Sequence, residues 1–290
     1  MSESMNEAFE HHRADNGGVS LHAVSLGHGP AVVLIHGFPQ HWWMWRATMR
    51  TLAANGYRAI AVDQRGMGGS DIPHAGYDKR TLAGDVAAVL DALGIGSAAV
   101  VGYDHGGGTA LAFAYAYPER AKRVATIEYA PPGFGYEMGL TAAPGNVNWQ
   151  LAFFTHPDVA VQFIAGRERE LLAWYFWHWA YDPDAVDQAD FEVYVRQLQK
   201  PGALRGGCMH FASVFEDMAL FKAWSQQGRL RMPLLGVGGE VAAGPYPEMA
   251  LRALGDDVRG AVVPRAGHWI AEEAEAALGD TLLGFLSGAA

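Results

Sequence analysis

The chain has 290 residues, half of them hydrophobic, with 18% charged residues, nine Trp and a formal net charge of -10. That much apolar bulk excludes a disordered chain and fits a large globular domain, or a core domain carrying an insertion. The acidic balance, with no Lys or Arg run, argues against nucleic acid as a partner.

From the N-terminus, Met1 to Glu10 is polar and acidic, without the basic start and apolar stretch of a signal peptide. No stretch is long and apolar enough for a membrane span, so a soluble cytoplasmic protein with no membrane partner is expected. Val19 to Val24 alternates after Asn16-Gly17-Gly18 and predicts a hairpin strand. Ala31 to Ile35 is a continuous apolar run, the pattern of a strand buried on both faces. A helix is predicted over Trp43 to Ala54, and a strand over Tyr57 to Val62 ahead of the glycine-rich loop Asp63 to Ser70. Leu82, Val86, Val89, Leu90 and Leu93 have helical spacing within Thr81 to Leu93. Ala98 to Val101 is a short buried strand, Gly106 to Tyr117 a helix and Val124 to Ile127 another strand.

After a Pro- and Gly-rich break from Pro131 to Gly145 the pattern becomes aromatic-rich and helical, from about Trp149 to Trp224. Alternation then resumes, with strands at Leu234 to Val237 and Val258 to Val263 and helices at Glu248 to Leu254 and Glu272 to Leu286. Repeated β–α alternation predicts an α/β fold, a mostly parallel sheet with helices on both faces. The expected organisation is a core of residues 1–130 and 226–290 and a helical cap, or lid, of residues 131–225.

Three motifs carry chemistry. Gly102-Tyr103-Asp104-His105-Gly106 follows a buried strand and opens a helix, as a nucleophile elbow does, with Asp where Ser is common. A tight turn with a capping Asp is the bland alternative. Leu34-Ile35-His36-Gly37-Phe38-Pro39 ends a strand and can aim a backbone N–H at the elbow, so the amides of Phe38 and His105 are the candidate oxyanion hole. An ordinary strand-to-loop turn would read the same way. Gly267-His268-Trp269 follows the last strand, where a general base is expected.

Together with Asp63-Gln64-Arg65-Gly66-Met67-Gly68-Gly69-Ser70, these motifs resemble the epoxide hydrolase and dehalogenase branch of the α/β-hydrolase superfamily, along about the whole chain. Ile164-Ala165-Gly166-Arg167-Glu168-Arg169 and Lys200-Pro201 resemble the cap of bacterial epoxide hydrolases and haloacetate dehalogenases. The resemblance implies an α/β-hydrolase fold with a cap. It also implies a catalytic Asp104 that forms an ester with a substrate carbon, and a His268-activated water that hydrolyses it.

The acid that orients His268 has two candidates. Many family members carry it in a Gly-Glu-x-Asp pattern after the seventh strand, where this chain reads Gly239-Glu240-Val241-Ala242; others carry it after the sixth strand, at Glu128 here. Glu128 is favoured over Glu240, because a carboxylate ending an apolar strand is costly without a partner.

The leaving-group side departs from the family. Haloalkane dehalogenases usually have Trp at the position of His105, and haloacetate dehalogenases have Arg there and at the position of Gly108. The cap donor pair of epoxide hydrolases falls on Phe211 and on Trp149 or Gln150, with His210 nearby as a further donor. Trp42 and Trp269 join the candidate pocket residues, and the aromatic content suggests a small apolar or aromatic substrate, with water as co-substrate. The expected activity is opening of an epoxide to a vicinal diol. A haloalkane or haloacid dehalogenase is the alternative, and a non-hydrolytic lyase, cyclase or binding protein on the same fold is a further one. No cofactor and no metal site is expected: His11-His12 lacks further ligands at useful spacing, and the Asp63 to Ser70 loop has no Lys of a phosphate loop. Cys208 reads as a small buried apolar residue, and the sequence allows a homodimer.

Overall fold

In the computed structural model, residues 9–141 and 148–288 are described; Met1 to Ala8 and residues 142–147 of the Pro131–Gly145 break lie outside them. Eight strands build one sheet: β1 (Glu10–Asn16), β2 (Val19–Leu26), β3 (Ala31–Ile35), β4 (Arg58–Val62), β5 (Ala98–Tyr103), β6 (Ala121–Ile127), β7 (Leu234–Gly239) and β8 (Val258–Val263). Their order is β1-β2-β4-β3-β5-β6-β7-β8. β2 pairs antiparallel with β1 and with β4, and every other pair is parallel. β3 and β8 have the bounds the apolar runs predict. β1 was not anticipated, because its sequence EHHRADN is polar and it lies at the exposed edge of the sheet, where no apolar alternation is needed.

Successive side chains of a strand point to opposite faces, so each central strand feeds two cores. Val32, Leu34, Ala99, Val101, Ala125 and Ile127 meet helices Arg46–Ala54 and Glu275–Ser287 through Met49, Leu52, Leu278 and Leu282. Val33, Ile35, Val100 and Val124 meet helices Lys79–Ala92 and His105–Ala116 through Val86, Leu90, Leu111 and Phe113. Burying a side chain of this size stabilises by about 1.5–3 kcal/mol, so these two layers dominate the fold's stability. Helix Lys79–Ala92 starts where Asp78 caps it, accepting the N–H of Thr81.

Two predicted helices are broken. The first turn of Trp43–Ala54 is a 3-10 turn, Trp42–Trp45, ahead of the α-helix Arg46–Ala54. The C-terminal helix divides at Ala274, whose backbone leaves the helical region, into Ile270–Glu273 and Glu275–Ser287.

Between β6 and β7, among the described residues, the chain forms a 3-10 turn at Tyr136–Leu140 and six helices, with no strand. Phe154, Leu172, Tyr175, Phe176, Tyr194 and Phe211 of this section continue the first core rather than building a separate one. The last of the six, Val214–Gln227, instead packs Phe221 and Trp224 into the second core, with Trp224 stacked on Tyr115 of helix His105–Ala116. No helix among the described residues is long and apolar enough to cross a membrane.

The glycine-rich loop Asp63–Ser70 is built around one carboxylate. Asp63 accepts the backbone N–H of Trp42 at 2.7 Å and of Gly69 at 2.8 Å, and contacts His22 Nδ1 at 2.7 Å. Burial alone would raise its pKa, yet the His22 hydrogen bond and the neighbouring imidazoles hold it at about 2. A Cβ on Gly68 would strike the Asp63 carboxylate, and one on Gly69 would strike the His22 ring, so the loop's glycines let the chain close around this pair.

Candidate active site

The parallel strands place the functional side chains at their C-terminal ends, where a sheet of this kind opens its crevice. Asp104 follows β5 with φ 48° and ψ -129°, a conformation that L residues rarely adopt. The flanking glycines make it possible. A Cβ on Gly102 would collide with the carbonyl of Gly106, and one on Gly106 would collide with that of Ile35. The Asp104 N–H is held by Ile127 O at 2.9 Å, so the turn is fixed from β6 as well.

Asp104 Oδ1 accepts the backbone N–H of Phe38 at 3.2 Å, and the His105 amide also donates to this carboxylate. Gly37 is required beside it, because a Cβ there would strike the Asp104 side chain. Burial raises the Asp104 pKa above the ordinary carboxylate value. His268, the two amides and the Lys79 ammonium act in the opposite sense.

Glu128 follows β6, also at positive φ (56°), and is 8% exposed. Its Oε2 lies 2.9 Å from His268 Nδ1, and its Oε1 accepts the amides of Gly239 at 2.7 Å and Ala243 at 3.2 Å. The end of β7 and the loop after it, where the sequence has Ala242 instead of an acid, thus supply N–H groups to the carboxylate that follows β6. Glu240 is directed elsewhere: its Oε2 accepts the Arg265 amide at 2.8 Å. His268 Nε2 lies 3.7 Å from Asp104 Oδ2, too far for a hydrogen bond, so the ring is oriented by Glu128. Burial would lower the His268 pKa, but the hydrogen bond and charge of Glu128, with the charge of Asp104, raise it above 6.5.

Glu128→Gln is expected to lower turnover by about 10²-fold or more, because a carboxamide has no charge for a developing imidazolium. Its NH2 would also face the Nδ1–H. Glu240→Gln should leave turnover near the native rate, and steady-state kinetics on the two variants checks the assignment.

A cavity of about 550 Å³ opens over Asp104, Glu128 and His268. Phe38, Gln150 and Phe211 line it, as the sequence suggested; Tyr129, Tyr136, Tyr175, Trp179 and Tyr246 line it too and were not anticipated. No Lys or Arg is among the described residues that line it. The Tyr175 hydroxyl is buried without a hydrogen-bond partner among the described residues. Tyr136 Oη lies 3.4 Å from His105 Nε2. Burial, with the Lys79 charge, pushes His105 well below its usual pKa, so its ring is neutral, packed edge-on to Phe211 at 4.1 Å between centroids.

Four expected pocket residues lie elsewhere. Trp149 is 51% exposed and packs outside the cavity on Phe153 and Trp174. Trp42 sits among Phe9, His11 and Trp43 near the sheet edge. Trp269 is fully buried, with its Nε1–H on Tyr175 O at 3.3 Å. His210 is buried behind the elbow, with Nε2 3.0 Å from Arg65 O, and burial pushes its pKa well down, so it neither reaches the cavity nor serves as an acid near neutral pH. Cys208 is fully buried and its thiol is pushed up to about 12, an inert core position.

Sequence reasoning also missed Tyr103. Its hydroxyl donates to His268 O and accepts the Ile270 N–H at 2.8 Å, bracketing the loop that carries the imidazole. The signal for Tyr175 was present: Leu172, Tyr175 and Phe176 form the buried stripe of helix Glu168–His178 at 3.6-residue spacing.

Residues 30–169 match the alpha/beta hydrolase fold family. The soluble epoxide hydrolase of Corynebacterium sp. (strain C12) is 32% identical, over 98% of this chain and 99% of that protein. The fluoroacetate dehalogenase of Burkholderia sp. is 31% identical, over 71% of this chain and 70% of its own length. Among solved structures, Cfl2 from Burkholderia cenocepacia superposes with a TM-score of 0.92 at 34% identity, covering 98% of this chain and 97% of that one. Fold, chain-wide similarity and site geometry agree: the chain belongs to the α/β-hydrolase superfamily, in its epoxide hydrolase and dehalogenase branch.

Proposed function

We propose that the protein hydrolyses apolar epoxides to vicinal diols in two steps, through an ester on Asp104. The observation that carries this reading is Tyr175: a phenol in the same cavity as Asp104, buried, with its hydroxyl unpartnered among the described residues. A buried hydroxyl without a partner is costly and is accounted for when a ligand atom completes it. Burial raises the Tyr175 pKa well above 10, so it stays a neutral donor at physiological pH. An epoxide oxygen leaves as an alkoxide and needs a proton; a halide does not.

In the first step Asp104 Oδ2 attacks an sp³ ring carbon while Oδ1 keeps its amide contacts. The ring C–O bond breaks and the oxygen takes the Tyr175 proton, which is returned from solvent. In the second step His268 removes a proton from water. The hydroxide adds to Cγ of Asp104, and the oxyanion is held by the Phe38 and His105 amides. Collapse breaks the bond from Cγ to the substrate oxygen, which takes the proton from His268 and leaves as the diol. The helices between Trp149 and Ala212 act as the cap that supplies Tyr175 and closes the apolar pocket.

The similarity to a fluoroacetate dehalogenase favours a second reading, cleavage of a carbon–halogen bond. A haloacid would bring a carboxylate into a cavity whose described lining has two carboxylates and no Lys or Arg, which costs it a partner. Tyr175→Phe separates the readings. Ester formation from an epoxide is expected to slow by about 10²-fold, the size of a lost general acid, while any reaction with an alkyl bromide stays near native. Equal rates of epoxide opening in Tyr175→Phe and the native protein would contradict the epoxide assignment.

A further inference from the structure

Glu273 is not part of the chemistry above, yet its carboxylate joins the His268 loop to the helical section. Its Oε1 accepts the backbone amides on either side of the base, Gly267 N at 3.0 Å and Trp269 N at 3.0 Å. Its Oε2 accepts Tyr181 N at 2.6 Å and Asp182 N at 3.1 Å, from the segment that follows helix Glu168–His178. Four N–H donors fill the lone-pair sites of one carboxylate. The same two strands of chain touch twice more: the His268 N–H donates to Trp179 O at 2.7 Å, and Trp269 Nε1 donates to Tyr175 O. They approach so closely that a Cβ on Gly267 would collide with the Trp179 carbonyl.

We propose that Glu273 is a positioning residue that makes docking of the Trp179–Asp182 segment and placement of the His268 imidazole one event. The inference rests on the reading of His268 as the base of the second step. With the segment docked, backbone groups of residues 267, 268 and 269 are all bonded, and the ring is aimed between Glu128 and Asp104. With the segment displaced, Glu273 loses half its donors and the His268 N–H loses its acceptor, so the base is held only by Glu128, Tyr103 and the remaining Glu273 bonds and is placed less firmly. The consequence is selective. Attack by Asp104 needs no base, whereas hydrolysis of the ester does, so water is activated best when the segment is docked.

Replacing the carboxylate tests this. In Glu273→Ala, ester hydrolysis is expected to fall by about 10²-fold, the cost of displacing a catalytic group by about 1 Å, with ester formation changed by less than about 3-fold. Glu273→Gln keeps one acceptor oxygen and should fall between Ala and native. Quenched single turnovers followed by mass spectrometry of the Asp104 peptide read the two steps separately. A purely structural role would slow both alike, and native ester hydrolysis in either variant would overturn the proposal.

Amide hydrogen exchange in the unaltered protein provides a test that needs neither variant folding nor substrate. The Tyr181, Asp182 and His268 amides should be protected to the same degree, because displacement of the one segment frees all three. Tyr181 and Asp182 exchanging far more readily than His268 would overturn the coupling. That result is distinct from finding no Asp104 ester in the native protein, which would overturn the two-step reading instead.

Discussion

Asp104→Asn is expected to abolish turnover, by about 10⁴-fold or more, as removal of a catalytic nucleophile does. The substitution keeps size and retains an oxygen to accept the Phe38 amide, so the elbow should fold unchanged. What it removes is the charge. A carboxylate is ionised at neutral pH without help from a base, and even with its pKa raised by burial the flanking His268 and the two amides favour the anion. A carboxamide has no such electron pair to offer an sp³ carbon. Mass spectrometry should find no ester on residue 104, and product formation should not exceed the uncatalysed rate.

His268→Gln is expected to stop the enzyme at the ester of its first turnover. Asp104 still attacks, so the ester forms at near the native rate, but its hydrolysis slows by about 10²–10⁴-fold with the general base gone. The signature is one equivalent of ester on Asp104 and no second turnover. In the native protein the pH dependence has a definite sign. His268 works only when neutral; in the free enzyme the Glu128 hydrogen bond and charge, with the Asp104 charge, raise its pKa above 6.5. In the ester Asp104 is uncharged, so ester hydrolysis should increase as pH rises through a His268 pKa that lies below that of the free enzyme. Ester formation depends on the Asp104 anion and should lose activity only at lower pH. Stopped-flow measurement of the two phases across pH separates the limbs.

The placement of Asp104, Glu128 and His268 together was legible in the sequence because each follows the C-terminal end of a parallel strand. Asp104 stands between two glycines that a strained turn demands, His268 follows Gly267 after β8, and Glu128 closes the apolar run of β6. Position along the chain then fixes position in space, since parallel strands deliver their C-terminal ends to one edge. The choice of Glu128 over Glu240 was also open to a physical argument, for a carboxylate at the end of a buried strand needs a partner, and His268 Nδ1 is 2.9 Å away.

The leaving-group side was not legible in the same way. Its residues come from the helical section, where almost every face is aromatic and composition cannot say which ring looks inward. Trp149 and Tyr175 are neighbours in kind, yet the first is half exposed and the second faces the cavity. Trp269, beside the base in sequence, turns into the core, while Trp179, ninety residues earlier in the fold's path, lines the pocket. Family spacing led to Phe211 and Gln150, which do line the cavity, but the partnerless hydroxyl is on Tyr175, from a different helix. Helical phase within Glu168–His178 was the available clue. The edge strand β1 escaped for the opposite reason: it buries little, so its sequence carries no apolar pattern.

The central claim is that Asp104 itself donates an oxygen to the product. A single turnover of an epoxide in heavy-oxygen water, with enzyme in excess, tests it directly. The account predicts that the first diol carries no label, because its new oxygen comes from Asp104, and that the label appears in the carboxylate of residue 104. Label appearing in the first diol, with Asp104 left unlabelled, would mean that water attacks the substrate directly, and would contradict the account.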